Sequence, residues 1–178
     1  MQEKKKGEFQ AALVYFNSFQ RCPAGRGGLS FYLMADIEKS VLIGYSASQM
    51  FALVDAVEDY PKFLPWCGGS SVTPQNETVT HATIMIDYHH IKHSFTTENV
   101  RKPPELITMT LLNGPFQNLD GYWRFIPLAE NACKIEFRLH YTFSHIFLEK
   151  LVGPVFFVIA NSFVEAFIER AEEVYGSS

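Results

Sequence analysis

The chain has 178 residues, of which 47% are hydrophobic and 15% aromatic, with sixteen Phe and a formal net charge of −4. That length and apolar content exclude a disordered chain and suffice for one domain with its own core. Residues 1–33 carry a net +3 and residues 34–178 a net −7, so the acidic body is a poor general partner for nucleic acid, DNA included. It leaves room for a local basic patch or for contact with a ribosomal protein.

Residues 1–33 carry no sustained period and end in the loop-like run Pro23-Ala24-Gly25-Arg26-Gly27-Gly28. They read as an N-terminal extension, either non-native or disordered, with Met34 as a candidate start. Residues 34–178 read as the domain. Ile37, Val41, Ile43 and Tyr45 share one face of a first strand. Ser46-Ala47-Ser48 offers helix caps, and Met50, Phe51, Val54 and Val57 recur at helical spacing, which predicts a helix over 47–57. Tyr60 to Pro65 reads as a short turn between prolines. Five runs then read as strands, at about 68–74, 78–88, 91–101, 105–113 and 119–127. In a seventh strand, Cys133 to Phe143, Ile135, Phe137, Leu139, Tyr141 and Phe143 alternate with Lys134, Glu136, Arg138, His140 and Thr142. One face is dry and the other wet, as in an antiparallel sheet. The last segment covers the dry face: Val155, Ile159, Phe163, Ala166 and Phe167 form a helical stripe. Pro154 predicts that this helix starts or kinks there. The run Leu151 to Ala160 is only ten residues long, too short to span a bilayer. The order is α+β, with the helices on one side of a curved sheet, and such an arrangement tends to leave a gap for a ligand.

Sites of reaction chemistry are poorly supported. His89, His90 and His93 sit near a hairpin bend and lack the convergence a metal needs. Cys22, Cys67 and Cys133 match no zinc or redox spacing and suit a reducing compartment. Cys67 has His81 or His140 as a base only through an accident of folding. Glu58-Asp59 and Glu172-Glu173 look solvated at helix ends, so no carboxylate pair stands out. The expectation is no catalytic residue set and no metal. Lys92, Arg101, Lys102, Arg124 and Arg138 are candidates for a basic patch on the wet sheet face.

The segments Val57 to Cys67, Ser94 to Asn99, Gly114 to Leu119, Gly121 to Leu128 and Cys133 to Phe137, in that order, resemble the coenzyme Q-binding START-like family. That family lies within the polyketide-cyclase-like and Bet v 1-like helix-grip group, and the match is nearest its bacterial ribosome association toxin branch. The resemblance covers about 36–176, and residues 1–33 fall outside it. It implies the helix-grip fold, with a curved antiparallel sheet wrapped around a long C-terminal helix, and a cavity. It also implies one of two roles, with an aromatase/cyclase-type enzyme as a third and weaker alternative. The first is a non-catalytic binder of a polyprenyl quinone such as ubiquinone, or of another lipid, supporting respiration. The second is a toxin that binds the large ribosomal subunit and blocks subunit association. For the first role the expected ligand contacts are Phe63, Leu64 and Trp66 at the mouth, with Phe116 closing the far side. Trp123, Phe137 and Tyr141 would line the sheet, and Ile159 and Phe163 the helix. No cofactor is required for either role. The expected location is cytoplasmic, with transient contact at the inner-membrane surface for a quinone carrier.

Overall fold

The computed structural model describes residues 13–18, 35–88 and 90–176. The described strands are β1 Leu13–Ser18, β2 Ala35–Ile43, β3 Cys67–Pro74, β4 Val79–Tyr88, β5 Ile91–Lys102, β6 Leu106–Asn113, β7 Phe116–Ala129 and β8 Ala132–Phe143. Helix α1 is Ala47–Asp55, a 3-10 turn spans Val57–Lys62, and α2 is Ile146–Tyr175. The strands form one antiparallel sheet in the order β1-β2-β8-β7-β6-β5-β4-β3. Register shifts interrupt β3, β6 and both ends of β7, where bulges bend a sheet.

The alternation predicted from sequence sets the two faces. Ile37, Val41 and Ile43 of β2 are buried, as are Ile135, Phe137, Leu139, Tyr141 and Phe143 of β8. Against them α2 lays Val152, Phe156, Ile159, Ala160, Phe163, Val164 and Phe167. The outer face carries ion pairs: Arg138 with Asp36 and Glu38, and Glu136 with both Arg124 and Lys134. Ser46 caps α1 through a reciprocal bond with Gln49.

Four features differ from the sequence expectation. A strand, β1, lies inside residues 1–33 and pairs with β2. Helix α1 stops at Asp55, and the backbone tightens into the 3-10 turn that carries Pro61. Helix α2 begins at Ile146 and continues through Pro154. Pro154 is on the solvent side, so the Lys150 carbonyl that loses its donor can be hydrated. Finally, α2 as a whole is long and apolar enough to cross a bilayer by length and composition, although the ten-residue run within it is not. In this fold it is packed on the sheet.

Gly121 of β7 lies opposite Leu139, and a Cβ placed on it would sit 2.4 Å from the Arg138 carbonyl oxygen. The contact is backbone, which cannot rotate away. Gly121→Ala is therefore expected to cost about 2–3 kcal/mol, at the upper end for overpacking, measured by urea unfolding.

Candidate functional site

The space between sheet and α2 is nearly filled. Trp66 packs edge-on against Phe163 at 5.0 Å, and Trp123 meets Phe137 at 4.5 Å and Phe167 at 5.2 Å. Phe63 ends the 3-10 turn against Tyr60 and Phe167, with the Arg170 guanidinium over its ring. Phe116 opens β7, rather than lying on a connecting loop, and packs on Phe156 of α2 at 4.8 Å. Of the nine residues expected to contact a ligand, all but Phe63 are buried. Leu64 and Trp66, read as lining a mouth, are 1% and 4% exposed.

An internal cavity of about 40 Å³ remains, room for a few waters and far below the roughly 300 Å³ at which ligand pockets begin. Only Phe137 and Phe163 of the nine line it. Its other walls include Tyr60, Phe95, Leu119, Leu139 and Phe156, with Thr97 and Asn99 as its polar members. Thr97 Oγ1 donates to Asn99 Oδ1 at 2.8 Å, and the Tyr60 hydroxyl donates to the Val54 carbonyl at 2.7 Å. Sequence reasoning passed over Thr97 and Asn99, although alternation from Phe95 puts both on the inner face. Tyr141 lies elsewhere, in a groove on the other side of α2.

Burial governs the titratable groups here. It pushes the Cys133 thiol up to about 11 and raises Cys67, partly offset by a backbone hydrogen bond from Gly69. It also raises the phenols of Tyr60 and Tyr141 well above 10. A group whose folded value is raised contributes stability below its unfolded pKa and loses it as pH climbs through the folded value. The unfolded thiols ionise near 9.0, so the melting temperature is expected to fall as pH rises from about 8 to about 11. Protonated, buried thiols also make poor nucleophiles. His81 is engaged with Glu98 and His140 with Asp36.

The five candidate basic residues do not form a patch. Lys92 and Arg101 are nine residues apart on β5, about 30 Å. Arg101 shares an inner-face row with Ile107, Trp123, Phe137 and Lys39, and pairs with Asp55 of α1 at 3.2 Å. Alternation along β5 gives Arg101 this face, which corrects its assignment to the wet one. Lys92, Lys102, Arg124 and Arg138 are held by Asp87, Glu105, Glu136 and Asp36. Among the described residues nine of the ten Lys and Arg have a carboxylate partner, and Lys150 is the exception. No group of three or more His, Cys, Asp or Glu that could hold a metal occurs among the described residues. His89 lies outside them, as does Cys22.

A family model described as polyketide cyclase / dehydrase and lipid transport matches residues 43–168. The ribosome association toxin RatA of Vibrio cholerae is 43% identical over 143 residues, covering 80% of this chain and 99% of that protein. The mitochondrial coenzyme Q-binding protein COQ10 homolog B of Xenopus laevis is 26% identical, covering 79% of this chain and 59% of that protein. Among solved structures, the Zhui aromatase/cyclase of Streptomyces sp. R1128 aligns with a TM-score of 0.68 at 12% identity, over 82% of this chain and 99% of that one. At that identity the likeness speaks to fold alone.

Proposed function

Starting from a chain that belongs to the polyketide cyclase / dehydrase and lipid transport family, and whose relatives include ribosome association toxins, we propose a ribosome-directed function. The chain binds the large subunit through its surface and blocks subunit joining. The observation that carries this reading is the 43% identity along 99% of a protein named for ribosome association. A cavity of only about 40 Å³ agrees with a surface role. With nine of ten described cations already paired, contact runs through protein surfaces more than through phosphates. The chain works in the compartment that holds ribosomes, and it does so without catalysis.

The test adds the full chain to a bacterial extract and follows subunits in a sucrose gradient. Joined ribosomes are expected to decrease and free subunits to increase in proportion. An unchanged profile at excess chain sinks the reading.

A second reading is supported by the coenzyme Q-binding relative. A polyprenyl quinone or similar lipid would occupy the inner cavity after α2 parts from the sheet, stacking on rings such as Trp123, Phe137 and Phe163. Purification from a quinone-containing host, followed by native mass spectrometry, checks it. A near-stoichiometric quinone supports the carrier role, and an empty protein that takes up no added quinone removes it.

A further inference from the structure

Helix α2 has an apolar outer face as well as an apolar inner one. Phe147, Leu151 and Val158 are 73%, 52% and 56% exposed, and Pro154 is exposed between them. Their spacing of four, three and four residues aligns them along one side of the helix. Ile146, 57% exposed, flanks the line. From Leu151 to Val164 no Asp, Glu, Lys or Arg occurs. Only 39% of the helix's most apolar 18 residues are buried. A helix covering the core of a water-soluble domain normally turns charge outward; one that is apolar all round belongs inside a protein or against lipid.

A groove of about 470 Å³ opens beside this face. Ala35, Tyr141 and Phe143 form its sheet wall, Pro154 and Phe157 its helix wall, and Glu149 and Lys150 stand at its rim. Its size is that of a small-molecule pocket, and about twelve times that of the inner cavity. Lys150, the described cation that has no carboxylate partner, stands where the groove meets the exposed stripe.

We infer that the first half of α2 is a lipid-docking face, with one acyl chain of a phospholipid in the groove and its phosphate on Lys150. The apolar stripe enters the boundary between headgroups and chains, and the long Lys150 stem lets its ammonium reach phosphate level. A slot beside an exposed stripe suits a flexible chain better than a flat protein surface. The net −7 of residues 34–178 means that apolar insertion, not general charge attraction, holds the chain there. The inference does not rest on the ribosome reading, since it is argued from the outer face of α2 and its groove alone.

Flotation of the full chain with phosphatidylcholine vesicles containing one quarter phosphatidylglycerol tests it. The wild type is expected to float with the vesicles. The double variant Phe147→Asp, Leu151→Asp is expected to lose about tenfold in bound fraction, and Lys150→Glu several-fold. Gly153 also lines the groove, and a Cβ there meets Phe143 at an ordinary 3.6 Å, so Gly153→Leu is expected to weaken binding by filling the groove. Circular dichroism checks that each variant is folded. A wild type that stays with the unbound fraction overturns the inference, as does a folded double variant that floats equally well. If the double substitution abolishes ribosome association while the wild type ignores vesicles, the face docks a protein and the lipid assignment is wrong.

Discussion

Phe156→Ala is expected to lower the unfolding free energy by about 3–5 kcal/mol. Phe156 is 1% exposed and is the point where α2 locks onto the sheet. Its ring lies 4.8 Å from Phe116, 4.7 Å from Tyr141 and 6.2 Å from both Phe95 and Phe143. These rings come from β5, β7 and β8, so no single neighbour can close the gap left by truncation. The loss combines the transfer cost of the ring with an uncollapsed cavity, against a typical total of about 5–15 kcal/mol for a domain. Urea unfolding measures it. A loss below about 1 kcal/mol would mean that the helix is not seated as described.

Lys39→Ala is expected to cost about 3 kcal/mol. Lys39 sits on the inner face of β2 between Ile37 and Val41, and its side chain is 1% exposed. Its ammonium pairs with Glu165 of α2 at 2.6 Å and donates to the Asn161 carbonyl. Removing one partner of a buried pair costs about 3–5 kcal/mol. The Glu165 side chain is 32% exposed, and solvent relieves part of that penalty, which sets the lower end. The double variant Lys39→Met, Glu165→Leu replaces charge with apolar volume and is expected to be near neutral. A double-mutant cycle reads the coupling. If Lys39→Ala and the double variant cost the same, the ion pair is not what joins helix to sheet.

Much of the fold was legible because period-two alternation is a strong signal when one face is dry. Strands β2 and β8 read cleanly for that reason, and so did the capping Ser46. Strand β1 did not, since six residues with Leu, Val, Tyr and Phe in sequence offer no alternation. The turns of α2 before Pro154 are hard to read because a missing donor suggests a helix start, whereas a hydrated carbonyl on the outer side lets the helix begin at Ile146 and run through it. Lys39 and Arg101 were hidden by the habit of putting cations outside. The alternation that buries Val41 also buries Lys39, and each cation finds its carboxylate on a helix far away in sequence. The site was less legible still. Sequence identifies which rings face inward, but whether those rings enclose a ligand or one another depends on ångström-scale packing between β5, β7, β8 and α2. Leu64, Trp66 and Trp123 took their places in the core, and only Phe137 and Phe163 border the residual cavity.

The most direct measurement of the central claim is co-sedimentation of the labelled full chain with purified ribosomal subunits through a sucrose cushion. The account predicts that the chain pellets with large subunits at low-micromolar concentration and not with small ones. Because few cations are free, binding should weaken only modestly as salt is raised. A chain that stays in the supernatant with both subunits, while remaining folded, would contradict the account and return the carrier reading to first place.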